Sequence, residues 1–378
     1  MKKLKILSVF GTRRCAIKMA PVVHHLAQID TIEHRSCSTG QHQPLLDDLL
    51  PFLGIAPDYE LSVVKPGQSA SEIIAAILTG MKSVLQDFCP DWLLVHGDTG
   101  TCLAASLAAF YEKIKIGHVE AGLRSYTRSS PFPGEANRFM TDFLATLHFA
   151  PTNRNALNLL REGVRPKSIA VTGHTLEETL LQTLKNTPTF SEALSIEVKN
   201  AFEAARKVLL VACQFSENRE QPLDSLCTAL VRIAQKYPSI QVLFPLHSRP
   251  EVREILTARL RGQANIFLSP PLIYPDFVLA LRKCWAVITD SGSVQEECAF
   301  LKKRALILRE NFEGAGKQPA PGQVKIIGTN AEAIEFHLDL FYADNEGRRP
   351  RRLPPHPINL SPSRKIAESL LNYDSGYP

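Results

Sequence analysis

Short apolar runs alternate with amphipathic stretches along almost the whole chain, and this alternation limits the fold more than any single residue does. Ile6-Leu7-Ser8-Val9-Phe10 reads as a first strand, and Gly11-Thr12-Arg13 turns from it into a helix carrying Ile17, Met19, Val22 and Leu26. Trp92 to His96 predicts a strong central strand, Leu103 to Tyr111 the helix after it, and Ile114 to Gly117 the next strand. The second half repeats the style, with strands at 208–212, 240–244, 266–268, 287–289 and 305–308 and helices near 221–236, 250–260, 275–283 and 293–301. Strands that alternate with helices pair in parallel through right-handed crossovers. The fold class is therefore α/β, with doubly wound parallel sheets. At 378 residues the chain exceeds the roughly 250–300 that a single core supports, so two such domains are expected, facing each other across a cleft that collects the strand C-terminal ends. The pattern weakens into polar sequence over 186–205. That places 1–185 in a first domain and 186–360 in a second, with the tail 361–378, which holds a last helix at 363–371, packing back on the first.

Composition removes several classes of function. A net charge of +5 is small for this length, and the basic residues are scattered without aromatic interleaving, so nucleic acid is not the expected partner. The one dense basic run, Arg348-Arg349-Pro350-Arg351-Arg352, reads as a solvated linker. No apolar run approaches the ~20 residues of a membrane span, and the apolar run after Lys5 is too short for a secretory leader. None of the eight cysteines is spaced as C-x-x-C, which gives a zinc or redox site no support and fits a reducing cytoplasm.

Asp290-Ser291-Gly292-Ser293-Val294-Gln295-Glu296-Glu297 follows the expected strand at 285–288 and opens a helix. A small-residue turn at that junction leaves backbone N–H groups pointing outward at the positive end of a helix dipole, which suits a diphosphate. Glu297, one turn in, is placed to accept hydrogen bonds from a ribose. An ordinary strand–helix junction uses the same residue types, so both readings of the turn stand at this point. In the first half, polar residues cluster where strands end: Gly11-Thr12-Arg13 with Lys18, His96-Gly97-Asp98-Thr99, and His118-Val119-Glu120-Ala121-Gly122-Leu123-Arg124. Asp98 and Thr99 singly are good helix caps. Together the three clusters point to a site.

Several of these stretches, with Phe10-Gly11-Thr12-Arg13, Ala16-Ile17-Lys18-Met19-Ala20-Pro21, Gly40-Gln41-His42, Glu135-Ala136-Asn137-Arg138 and Thr289 to Glu297, resemble the non-hydrolysing UDP-N-acetylglucosamine 2-epimerases over nearly the whole length. That resemblance implies two Rossmann-like domains of GT-B architecture, a homodimer, a UDP-sugar substrate, and no cofactor or metal. It assigns Arg13 and Lys18 to the donor site, Ser291, Gly292 and Ser293 to the diphosphate, Glu297 to the ribose and Phe277 to the uracil. Asp98 and Glu120 match catalytic carboxylates, with Glu135 a third candidate. Gln214 and His247 fall at polar substrate-binding positions.

The departures from that family are selective. Its Arg-Pro-Glu is Arg13-Arg14-Cys15, which removes a carboxylate. Gly134 stands where the family has a catalytic Glu, unless a one-residue slip puts Glu135 there. Gln214 replaces a catalytic His, and Gly314 an Arg. Epimerisation at C2 needs a base on one face of the sugar and an acid on the other, each contributing ~10²–10⁴ in rate, whereas cleavage of the C1–O bond needs charge stabilisation that Arg13 and the 291–292 turn retain. The expectation drawn from this is a glycosyltransferase that passes the sugar to an acceptor. The alternatives are a divergent 2-epimerase interconverting UDP-GlcNAc and UDP-ManNAc, and a nucleotide-sugar-binding protein without turnover. Cys15 and Cys213 fall at expected cleft positions. Cys15, near a helix N-terminus, has the setting of an activated thiol, beside the plainer reading of an inert small side chain.

Overall fold

The computed structural model describes residues 3–41, 46–65, 67–128, 131–204, 207–213, 220–246, 249–309, 323–344 and 361–374. Gln214, His247, Gly314 and the Arg348 to Arg352 run lie outside the described residues. The contacts divide the chain into two compact units, Met1–Thr179 with His356–Pro378, and Leu180–Pro355.

In the first unit, β1 (Leu4–Phe10), β2 (Ile32–Ser38), β3 (Tyr59–Glu60), β4 (Trp92–His96), β5 (Lys115–Val119), β6 (Leu147–Ala150) and β7 (Ile169–Val171) form one parallel sheet in the order β3-β2-β1-β4-β5-β6-β7. The register sets Ile6 against Trp92 and Ser8 against Leu94. Trp92 to Val95 are fully buried, because helices cover both faces of a parallel sheet and leave its central strands no polar side. One face packs Leu7, Val9, Leu93 and Val95 against Ile77, Met81 and Leu85 of the helix Ala70–Phe88 and Ala105 of the helix Gly100–Tyr111.

In the second unit, β8 (Lys207–Ala212), β9 (Ile240–Pro245), β10 (Ile266–Ser269), β11 (Ala286–Thr289), β12 (Arg304–Ile307) and β13 (Val324–Ile326) form another parallel sheet, in the order β10-β9-β8-β11-β12-β13. Both units are Rossmann-like, and each reverses its strand order between its first and fourth strands. That reversal splays the loops after those two strands apart and opens a crevice at their C-terminal ends.

Element boundaries differ from the sequence expectation by a few residues, with local causes. The helix expected from Leu103 begins at Gly100, since Thr99 Oγ1 accepts the Cys102 N–H and starts the helix there. The last helix runs over Pro362–Asp374 and packs on the helix Arg13–Ala27 of the first unit. Its Ser363 N–H and hydroxyl both donate to Glu178, at 2.7 Å each. Among the described residues, no helix is long and apolar enough to cross a membrane.

Candidate active site

The loops after β1, β4 and β5 meet at the strand-order reversal of the first unit. β1 gives way to Gly11, where an added Cβ would stand 2.1 Å from Thr39 Oγ1 and 2.3 Å from Thr101 Oγ1, so only glycine lets the chain turn there. Thr12 then caps the helix Arg13–Ala27, accepting the Cys15 N–H at 3.3 Å. Arg13 is the first residue of that helix and is half-buried. After β4 the chain turns through Gly97 at φ +73°, a left-handed conformation that favours glycine. Thr99 takes the capping role, which frees the Asp98 carboxylate for another partner.

That partner is Arg138 of the helix Gly134–Leu144, whose guanidinium pairs with Asp98 Oδ2. The same guanidinium reaches Glu135 Oε2 at 3.1 Å, and Asn137 Nδ2 donates to the Asp98 carbonyl at 2.8 Å. Glu135 is fully buried, and its Oε1 accepts the N–H groups of Ser125 and Tyr126, both at 2.8 Å. It stands behind Asp98, tied to it through Arg138, rather than beside it. A Cβ on Gly134 would lie 3.1 Å from Asp98 Oδ2. A side chain at 134 would therefore point at Asp98, whereas that of Glu135 is held away.

Glu120 follows β5 with φ +64°, a strained conformation for a residue with a side chain. Its carboxylate receives Lys18 Nζ at 2.6 and 2.8 Å, and His96 Nε2 and His174 Nδ1 stand 3.1 and 3.9 Å from it. Lys18 is 1% exposed, so the pair is a buried ion pair. Burial disfavours the charged form of Glu120, but Lys18, His96 and His174 outweigh it and hold the carboxyl well below its ordinary range. Burial likewise raises Asp98, and Arg14, Arg138 and His96 more than offset it. Two carboxylates are thus kept ionised in one buried cluster. Arg14, Cys15, His96, Asp98, Glu120 and Arg138 line a small cavity there.

His118 sits under this cluster. Its Nδ1 lies 2.6 Å from Asp142 Oδ1 and its Nε2 2.9 Å from the Gly97 carbonyl, so it braces the turn that carries Asp98. Burial raises the Asp142 carboxyl, but His118, Arg124 and His148 outweigh burial and hold it down at about 2.

The second unit supplies the Asp290 turn. Ser291 occupies the N-cap of the helix Gly292–Phe300 with extended backbone (φ −91°, ψ 124°) and makes no side-chain capping bond. The first N–H groups of a helix have no intrahelical acceptor, so this end, with its dipole, suits an anion. Ser291 N–H donates to Thr289 Oγ1 at 3.0 Å, and that hydroxyl donates to the Ala212 carbonyl at 2.6 Å, which ties the turn to β8. Arg309 Nε donates to the Asp290 carbonyl. Gly292 and Ser293 are half-buried, and Glu297 is buried one turn on. Phe277 lies on the neighbouring helix Tyr274–Lys283, partly buried against the core of the unit.

The structure thus joins Lys18, Asp98 and Glu120 in one cluster, sets Glu135 behind it, and carries Ser291 to Glu297 on one helix start. Sequence reading did not single out His96, His174, Arg14 and Arg138 as site residues. Arg138 stood inside a quoted motif and His96 beside Asp98. His174 had no local signal, because its proximity to Glu120 arises only when the chain after β7 returns to β5. Among the described residues, no cluster of His, Cys, Asp and Glu has the arrangement of a metal site.

The sequence profile of the UDP-N-acetylglucosamine 2-epimerase family matches residues 24–369. A UDP-N-acetylglucosamine 2-epimerase of Yersinia pestis is 44% identical over 335 residues, 88% of each chain. One from Escherichia coli K12 is 42% identical over 334 residues, again 88% of each. Among solved structures, the UDP-GlcNAc 2-epimerase of Neisseria meningitidis bound to UDP-GlcNAc superposes with a TM-score of 0.85 at 38% identity, over 98% of this chain and all of the other.

Proposed function

Since the chain belongs to the UDP-N-acetylglucosamine 2-epimerase family, we propose that it interconverts UDP-GlcNAc and UDP-ManNAc by inverting the sugar at C2. The glycosyltransferase expected from the sequence departures is less well supported, because relatives at 42–44% identity over most of both chains carry the epimerase name. The observation that carries the reading is the kinship over most of both chains; the buried cluster in which Asp98 pairs with Arg138 and Glu120 with Lys18 serves the C1–O cleavage that either reaction requires. Carboxylates of depressed pKa accept protons weakly, but they stabilise positive charge strongly. That suits the electron-poor C1 formed as the C1–O(UDP) bond breaks. Within the second unit, the N–H groups at Ser291, Gly292 and Ser293 would meet the charge on the departing diphosphate, with Glu297 on the ribose and Phe277 by the uracil.

A homodimer belongs to the same proposal, supported by Phe110, Phe139, Met140 and Phe143, which are exposed on two packed helices of the first unit. Incubation with UDP-GlcNAc in deuterated water, followed by proton NMR, tests the reaction. UDP-ManNAc carrying deuterium at C2 is the expected product. UDP released only when an acceptor is added would return the transferase reading, and binding without turnover would leave a nucleotide-sugar-binding protein.

A further inference from the structure

The proton chemistry at C2 needs a base, and the two ionised carboxylates are poor ones because their cations hold them deprotonated. One other ionisable side chain in the cavity is a cysteine. Cys15 is 3% exposed and lines the same small cavity as His96, Asp98, Glu120 and Arg138. Its Sγ lies 3.7 Å from the His96 carbonyl oxygen, which gives the neutral thiol an acceptor. The His96 ring stands between the thiol and Glu120, with Nε2 3.1 Å from Glu120 Oε2. The His96 ring is 3% exposed and makes no well-aligned hydrogen bond among the described residues, so its close contact with Glu120 is an ion-pair contact rather than a completed hydrogen bond. A buried imidazole left open on the wall of a cavity, between a thiol and a carboxylate, is the arrangement in which a base activates a nucleophile and a third group orients the base.

We infer that Cys15, paired with His96 and backed by Glu120, is the group that accepts the proton from sugar C2 in this chain. The inference rests on the epimerase reading above. The charge balance of the cluster agrees with it. Burial raises the Cys15 thiol and Asp98 adds to that, yet the His96 ring and the Thr12 hydroxyl lower it further, so the thiol ends below its ordinary value. Burial lowers His96, but Glu120 and Cys15 more than reverse that, which favours the imidazolium. In the step itself the thiolate takes the C2 proton and becomes a thiol. The C–H electron pair becomes the C1=C2 bond, and UDP leaves with the C1–O pair. A proton from solvent then reaches C2 on the opposite face as UDP adds back to C1, and the thiol returns its proton to solvent.

The test uses the full-length protein and the variants Cys15→Ser and Cys15→Ala, with Cys89→Ser, at an exposed cysteine, as control. Cys15→Ser and Cys15→Ala are expected to lose ~10²–10⁴-fold in kcat, the usual contribution of one positioned base. KM, UDP affinity by calorimetry and melting temperature should stay near wild type. Deuterium uptake at C2 should fall in step with kcat, and Cys89→Ser should be unaffected. Iodoacetamide should inactivate the wild type with the label mapped to Cys15, and UDP-GlcNAc should slow that labelling without slowing the labelling of Cys89. A Cys15→Ser protein whose kcat is within about threefold of an active wild type overturns this assignment alone. A wild type that never exchanges the C2 proton overturns the epimerase reading and this assignment with it.

Discussion

Lys18 shows at the scale of one residue why the site is dear in stability. An ammonium that is 1% exposed has lost its water, and the Glu120 carboxylate at 2.6 and 2.8 Å replaces it. Removing one partner of such a pair leaves an uncompensated buried charge, at about 3–5 kcal/mol, whereas removing both charges is often close to neutral. Lys18→Met should therefore lower the unfolding free energy by about 3–5 kcal/mol, and Lys18→Met with Glu120→Gln should recover most of the loss. Urea unfolding of the three proteins checks this. A single variant as stable as wild type would show that Glu120 sheds its charge at little cost. Gly134 is a contrasting case. An added Cβ there would stand 3.1 Å from Asp98 Oδ2 and 3.4 Å from Pro131 Cγ, so the position that sequence comparison reads as a lost carboxylate is in the structure closed up against a retained one.

At the scale of elements, β1 and β2 carry a titration built into their pairing. His34 of β2 lies 2.9 Å, through Nε2, from Ser8 Oγ of β1. Burial, with a smaller push from His24, outweighs Asp58 and lowers His34 from 6.5 to about 4. The unfolded chain then binds a proton that the folded chain refuses between those two values. The stability is fully present above about pH 6.5 and is lost as the pH falls towards 4, by about 3 kcal/mol in all. His34→Gln should flatten the stability profile across that window, as read from urea midpoints at pH 7 and pH 4.5. An unchanged slope would assign the acid sensitivity to other groups. The same pair of strands shows what the sequence could reveal. β1, β4 and β8 are apolar over most of their length, because helices cover both faces, and their positions were legible. β2 reads Ile-Glu-His-Arg-Ser-Cys-Ser and was not, since its polar groups are satisfied from elsewhere, as when the Ser36 N–H donates to Asp58 at 2.8 Å. β6, which holds His148, was missed for the same reason. The helix Ala70–Phe88 was also passed over, although its Ser69 and Glu72 form a capping box that is a readable start signal. Of the site, the strand-end residues were legible because loops after parallel strands gather at one edge. Their pairing was not, because Lys18 meets Glu120 from 102 positions away only once the sheet order sets β4 between β1 and β5.

At the scale of the whole molecule, the first unit presents two neighbouring helices that are apolar on the side turned to solvent. On the helix Gly100–Tyr111 the half-buried Leu103 and Leu107 lead to Phe110, 52% exposed. On the helix Gly134–Leu144, Phe139 and Met140 are exposed and Phe143 is 87% exposed. Helices of a monomer normally turn charged residues outward, and contiguous apolar surface of this kind marks an interaction face. Because both helices belong to one compact unit, a second copy that meets the same face by two-fold symmetry buries each stripe against its own equivalent. The proposed homodimer is therefore expected to use this face. Each phenylalanine withdrawn from water contributes about 1.5–3 kcal/mol, or roughly 10–100-fold in the dissociation constant. Phe143→Lys should weaken the dimer by at least that factor, since it also brings like charges together across the axis, and Phe110→Lys with Phe143→Lys should give a monomer. Sedimentation equilibrium over a range of protein concentrations measures this directly. A wild type that sediments as a monomer at every concentration, or a double variant that dimerises as tightly as wild type, would move the interface elsewhere or remove it.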